Sequence, residues 1–145
     1  MEIRLKKFAF RKKIGLLGFL CACLMAVGGC GLAAGEDVKL RDLDFTVLSE
    51  EKIPEQLMTM ITEKKETPFQ LTYTDNESLY ICVGYGVQES GGYSIAVNEL
   101  YLTEKNIHVD TNLLGPESVE KSNKVPSYPY IVIKTEYLDK TMIFE

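Results

Sequence analysis

A run of apolar residues and glycines at positions 79–87 limits the folds open to this chain more than any other segment. It contains no charged residue, and a strand that is buried on both faces has this composition. Most other segments after Pro68 alternate apolar and polar residues, as strands with one buried face do. The sequence therefore predicts a β-rich fold around one strand that is covered on both sides.

Six further segments are predicted as strands, the first four of them by their alternation, with turns of polar residues, glycine and proline between them. They lie at residues 43–47, 69–73, 93–102, 107–113, 130–135 and 137–144. Within 93–102 the apolar phase slips by one residue, which predicts a β-bulge near Asn98 and Glu99. The longest loop is predicted at 114–127, and residues 137–144 are expected to return as the last strand.

One helix is predicted before these strands. Pro54 stands where a proline at the first helical position would start it, and Thr67-Pro68 ends it. Its apolar face follows helical spacing through Ile53, Leu57, Met60 and Ile61. The order of elements predicts an α+β domain: one antiparallel sheet system of about 6–7 strands, with the N-terminal helix packed on it. A partly closed barrel or a sandwich is the alternative.

The catalytic candidates are weak. His108 is the only histidine, and in a strand it would point to solvent, opposite to Ile107 and Val109. A dyad with Cys82 would need an exposed thiol, but Cys82 lies in the apolar segment. Glu50 and Glu51 are expected to be loop charges, and no zinc or EF-hand ligand pattern follows the first 30 residues. We predict a domain that is not an enzyme and that has no metal or cofactor.

The first 30 residues have the features of an export signal. Six basic residues precede a 16-residue uncharged segment, 14–29, which is short for a membrane span. The residues Val27-Gly28-Gly29 before Cys30 are similar to the lipobox that lipoprotein signal peptidase recognises. This resemblance implies that Cys30 is diacylated and becomes the first residue of the mature chain.

The predicted organisation is a signal at 1–30, a linker at 31–37 and one domain at 38–145. Two acyl chains hold a protein stably at a bilayer, whereas one does not. The expected location is therefore the extracytoplasmic face of the cell membrane, anchored through lipid on Cys30. Cleavage near Ala33 and Ala34, giving a secreted protein, and an uncleaved anchor are the alternatives. Cys21 and Cys23 would leave with the signal.

The segment after the signal is acidic. Residues 31–145 contain 10 Lys and Arg against 20 Asp and Glu, a net charge near −10. Such a domain repels nucleic acid, and no basic patch offsets the repulsion. Nucleic acid is therefore excluded as a partner, although an acidic surface also simply favours solubility.

Glycines cluster after the apolar segment, in Gly84-Tyr85-Gly86 and Gly91-Gly92-Tyr93-Ser94-Ile95. They predict a β-hairpin with a loop at 88–92 that needs positive φ, and close backbone approach at Gly84 and Gly86. This hairpin, with the later segment Tyr128-Pro129-Tyr130, resembles the C-terminal domain of the protease complex subunit PrcB family. The resemblance covers residues 79–134.

The resemblance implies a non-catalytic binding module that assists a surface protease complex. The hairpin loop and the loop at 114–127 would contact the partner. The best interface candidates are Gly91, Gly92, Tyr93, Tyr128 and Tyr130, because they lie in or beside these loops. Two alternatives remain: a protease inhibitor similar to the chagasin type, with Gly91-Gly92-Tyr93 in the active-site cleft, and a small-ligand or cell-wall binder. A hydrolase is a more distant fourth.

Overall fold

Two four-stranded sheets and one α-helix form the part of the chain that the computed structural model describes, residues 37–118 and 124–145. The strands are β1 (Lys39–Asp42), β2 (Phe45–Val47), β3 (Pro68–Thr74), β4 (Ser78–Tyr85), β5 (Ser94–Thr103), β6 (Asn106–Leu114), β7 (Tyr130–Glu136) and β8 (Thr141–Phe144). A 3-10 turn, Glu50–Lys52, precedes the helix α1 (Glu55–Lys64). The signal, Cys30 and the linker to residue 36 lie outside the described residues, as do residues 119–123.

The strand order corrects the expectation of a single sheet system. The first sheet has the order β1-β5-β6-β8 and the second has the order β2-β7-β4-β3. β8 does not return along β7, because after Asp139 and Lys140 the chain crosses to the first sheet and pairs parallel to β6. The described residues form eight strands rather than six or seven. They form no closed barrel, and a sandwich describes the arrangement roughly.

An apolar cluster joins the two sheets. Its buried members come from both sheets and from the crossing between β1 and β2: Leu43, Leu79, Ile81, Val83, Leu100, Ile107, Val109, Ile131 and Ile133. A second cluster covers the opposite face of the second sheet, where α1 supplies Leu57 and Ile61. β4 contributes Ile81 to the first cluster and Cys82 to the second. The predicted strand that is buried on both faces is confirmed.

The helix begins one residue later than the proline suggested. Pro54 occupies the N-cap position rather than the first helical position, and Lys64 is the last helical residue. Ile53, Leu57 and Ile61 are buried against the second sheet, which confirms the apolar face. Among residues 37–118 and 124–145, no helix is long and apolar enough to span a bilayer.

The observed strand boundaries differ most from the predicted ones at the start of the domain. The segment predicted as one strand, 43–47, forms only β2, because Leu43 is buried at the crossing between the sheets. β1 was not predicted, since all four of its residues are exposed and carry no alternation. In β5 the register shifts between Val97 and Glu99, so the predicted bulge is confirmed at Asn98.

Candidate partner-binding surface

Two glycines shape the connection between β4 and β5. Gly86 and Gly92 have φ of 71° and 89°, a region that side chains other than glycine rarely adopt. A Cβ on Gly86 would also lie 2.8 Å from Cδ of Pro68. The prediction of a β-hairpin is wrong, because β4 and β5 lie in different sheets and do not pair; residues 86–93 instead form a loop that crosses between the sheets. In this β4–β5 loop the predicted positive φ is confirmed at Gly92, and close approach is confirmed at Gly86.

The β4–β5 loop is joined to the segment that leads into β7. The Gln88 N–H donates to the Ser127 carbonyl at 2.8 Å, and the Ser127 N–H donates to the Gln88 carbonyl at 3.1 Å. The Ser127 hydroxyl donates to the Ser90 carbonyl at 2.6 Å. Gln88 and Ser90 of one predicted contact loop are therefore held beside Ser127, the last residue of the other, by three hydrogen bonds.

Further hydrogen bonds connect residues beside the bridge to β4 and to the residues that follow α1. The Val87 N–H donates to the Glu66 carbonyl at 3.2 Å, and the Tyr85 N–H donates to the Pro129 carbonyl at 3.0 Å. The Lys65 ammonium lies 5.2 Å from the centre of the Tyr128 ring, a cation–π distance. Val87 and Tyr128 are thus held against the residues that follow α1, and Pro129 is held against β4.

The predicted interface residues differ in how far they reach solvent. Gly92 is exposed and Gly91 is buried. Tyr93 is half-buried, and its Cε1 lies 3.9 Å from the place of a Cβ on Gly115. Tyr128 is 36% exposed.

Tyr130 lies on the helix side of the second sheet. Its ring packs on the second apolar cluster, and its hydroxyl lies 4.0 Å from Sδ of Met58. Burial raises the pKa of this hydroxyl above its ordinary value, with Glu50 and Cys82 adding to the effect. Tyr130 therefore packs against the cluster beneath α1, whereas Tyr128 is presented at the surface.

Several apolar side chains are exposed at this end of the sheets. They are Val87, Leu114, Val125 and Tyr128, and the first and third are 54% and 64% exposed. We call these four residues, together with Gly92, the loop-end surface. The amino-acid pattern could not show that Val87 and Val125 share a surface, because the Gln88–Ser127 bridge brings them together across 38 positions of sequence.

The structure separates Cys82 from His108. Cys82 is fully buried in the cluster beneath α1, where desolvation raises the pKa of its thiol to about 12. His108 lies between Ile107 and Val109 on β6, so its side chain points to the outer face of the first sheet. The expected buried cysteine is confirmed, and these two residues do not form a dyad.

His108 faces the outer side of the first sheet, opposite to Ile107 and Val109, as predicted, but its side chain is not exposed to solvent. Its side chain is 12% exposed because Asp37 and Glu145 cover it. Nδ1 lies 2.6 Å from Oε1 of Glu145, and Nε2 lies 3.2 Å from Oδ2 of Asp37. The ring also stacks on Tyr101, with 4.7 Å between centroids. Sequence reasoning missed this cluster because its carboxylates are distant in the chain from the histidine.

A cleft beside this cluster is lined by residues of β3, β4 and β6. It has a volume of about 400 Å³ and is bordered by Phe69, Gln70, Tyr85, Thr111 and Glu145. The Tyr85 and Thr111 hydroxyls share a hydrogen bond of 2.8 Å across it. Among the described residues, no group of three or more histidine, cysteine or acidic side chains could hold a metal ion.

The architecture defines a β-rich domain of two sheets with one helix and a loop end that is braced by hydrogen bonds. Residues 79–136 match the family model described as PrcB C-terminal. The match confirms the resemblance found in the glycine-rich segment 79–95 and in Tyr128-Pro129-Tyr130. The match starts in β4 and ends with β7, so it includes the loop-end surface and leaves out α1 and β8. No curated protein and no solved structure matches the chain significantly.

Proposed function

We propose that this protein is a non-catalytic binding module that associates with an exported protease complex through its loop-end surface. The match to the PrcB C-terminal model supports the class of partner, because that family is named for a subunit of a protease complex. The observation that carries the proposal is the Gln88–Ser127 bridge, which joins the two loops inside the matched segment.

The composition of the loop-end surface suits a protein partner. Val87 and Val125 each leave more than half of the side chain in water, and Tyr128 adds an aromatic ring with a polar tip. Apolar side chains grouped at one place on a surface are typical of interaction sites, and tyrosine is enriched in them. Because hydrogen bonds already hold Gln88 and Ser90 to Ser127, binding would lose less conformational entropy at these residues than at free ones.

The matched pair Val87 and Val47 tests the surface. Both are valines in or beside the second sheet, and their exposures are 54% and 52%. The full chain with Val87→Asp should lose its crosslink to the protease partner at native expression, because a buried charge opposes association. Val47→Asp, on the edge strand β2, should retain the crosslink.

Two outcomes would contradict this proposal. Equal loss of the crosslink in both variants would show that the loop-end surface is not the site, and an unchanged crosslink in Val87→Asp would show the same. If the purified protein instead inhibits a cysteine protease and Tyr93→Ala abolishes the inhibition, the inhibitor alternative replaces the accessory role. Circular dichroism of each variant checks that it folds.

We further propose that lipid on Cys30 holds the domain at the outer face of the membrane. Support comes from the sequence alone: the basic residues, the 16-residue uncharged segment and Val27-Gly28-Gly29 before Cys30. Metabolic labelling with palmitate should label the wild-type chain and Cys82→Ala, but not Cys30→Ser. Label that persists in Cys30→Ser would overturn the anchor without affecting the proposed partner.

A further inference from the structure

His108 lies between two carboxylates on the outer face of the first sheet. Its Nδ1 is 2.6 Å from Oε1 of Glu145 and its Nε2 is 3.2 Å from Oδ2 of Asp37. Ionised carboxylates only accept hydrogen bonds, so each contact needs an N–H from the ring. A neutral imidazole has one N–H, whereas the imidazolium has two. Both contacts can therefore form together only when His108 is protonated.

The surrounding charges favour the protonated ring. Burial alone lowers the pKa of His108, but the hydrogen bonds and charges of Glu145 and Asp37 outweigh it and raise the pKa above its ordinary value of 6.5. Lys39 is the nearest cation from β1, and it is neutralised by Asp42 at 2.7 Å and Glu99 at 3.8 Å.

The described neighbours on β5, β6 and β8 that follow are acidic or uncharged. From β5, Tyr101 stacks on the imidazole, and its hydroxyl donates to Oε1 of Glu145 at 3.2 Å. From β6, Asp110 accepts a hydrogen bond from the Asn98 amide. From β8, the residue paired with His108 is Ile143, which is uncharged. The net charge around the imidazole is therefore negative.

The contact with Asp37 fixes the chain where it enters β1. The backbone ladder between β1 and β5 begins only at Lys39 and shifts register before Arg41. Val38 is 66% exposed, so apolar packing contributes little at this point. Asp37 otherwise contacts the uncharged side chains of Asn106 and Thr103. The ring of His108 supplies the only charge-assisted contact of Asp37 among the described residues.

We propose that His108 is a pH-sensitive clasp that holds the residues leading into β1 against the first sheet while it is protonated and loosens them when it loses its proton. The shorter contact, to Glu145, keeps the remaining N–H. Nε2 then carries a lone pair instead of a proton and faces the Asp37 carboxylate, so this longer contact is lost. The start of β1 therefore loosens first, while Glu145 stays bound to β6 through its own N–H and the Val109 carbonyl.

The test uses the full chain, in which His108 is the only histidine. A proton NMR titration of its ring should give a pKa above 6.5 in the wild type and a lower pKa in Asp37→Asn and in Glu145→Gln. Amide hydrogen exchange at residues 38–40, corrected for the base-catalysed intrinsic rate, should lose protection as the pH passes through that pKa. In His108→Gln this protection should not depend on pH between 6 and 9.

Glu51→Gln is the control, because Glu51 is exposed in the 3-10 turn beside the second sheet. It should leave both the titration and the exchange profile unchanged. A pKa of His108 at or below 6.5 overturns the clasp, as does protection at residues 38–40 with the same pH dependence in His108→Gln as in the wild type.

Discussion

The ring of Phe69 occupies the space that a side chain at Gly84 would need. The two residues are directly paired between β3 and β4, and a Cβ on Gly84 would lie 2.1 Å from Cε1 of Phe69. Phe69 packs against the second apolar cluster, so a shift of the ring would weaken its contacts with that cluster. The missing side chain at Gly84 thus lets an aromatic ring cover the backbone of the central strand.

Gly84→Ala should therefore destabilise the domain. Overpacking of this kind costs about 1–3 kcal/mol, measurable as a lower midpoint of urea unfolding. In a Phe69→Ala background the space is empty, so adding Gly84→Ala should cost much less. If the two costs simply add, the ring is not what excludes a side chain at this position.

The Cys82 thiol should be unreactive in the folded protein. With a pKa of about 12, roughly one thiol in ten thousand is ionised at pH 8, and the side chain is also fully buried. Iodoacetamide followed by mass spectrometry of the Cys82 peptide should show no modification in buffer and complete modification in denaturant. Rapid native modification would mean that the helix α1 opens readily from the second sheet.

The segments that the sequence predicted well are those in which burial leaves a local pattern. Residues 79–85 lack charge because β4 contacts a sheet on one face and a helix on the other. The phase slip at Asn98 marked the bulge, because a slipped strand must still bury one face. Glycine spacing likewise marked the positive φ at Gly92.

Contacts between segments that are distant in the chain leave no local pattern in the sequence. β8 is four residues long and its burial does not alternate, so nothing in its sequence distinguishes pairing with β7 from crossing to β6. His108 was correctly placed opposite Ile107 and Val109. Its carboxylates, however, come from Asp37 and Glu145, which are 71 and 37 positions away.

The stability of the domain should depend on the protonation of His108. Since its pKa is raised in the folded state, its contribution is fully present below the pH at which it titrates in the unfolded chain, near 6.5. The contribution is lost as the pH rises through the folded pKa. Urea midpoints measured between pH 5.5 and 9 should decline more in the wild type than in His108→Gln. Parallel profiles would show that the ring makes no net contribution.

Asp75 should stabilise the domain at neutral pH and lose this effect in acid, the reverse of His108. Its carboxylate accepts hydrogen bonds from the Glu77 and Ser78 N–H groups at 3.0 and 2.8 Å and from the Tyr80 hydroxyl at 2.8 Å. These bonds lower its pKa, those from Glu77 and Tyr80 most, so their stabilisation is present above the unfolded pKa and lost as the pH falls through the folded one. Asp75→Asn should unfold at a lower urea concentration at pH 7, with less difference from the wild type at pH 3.

Gly92 should tolerate substitution less well than Gly115 at the same end of the domain. An alanine at position 92 must adopt φ near 89°, which costs about 1–2 kcal/mol for a residue with a Cβ. At position 115, a Cβ would make only an ordinary contact of 3.9 Å with Tyr93. Gly92→Ala should therefore lower the unfolding midpoint and speed amide exchange at Gln88 and Ser127, whose mutual bonds depend on the path of the loop. Gly115→Ala should change neither by much, because it demands no unusual backbone conformation. Equal effects of the two alanines would mean that the φ at Gly92 relaxes without disturbing the bridge, and that the β4–β5 loop is not fixed by its glycine.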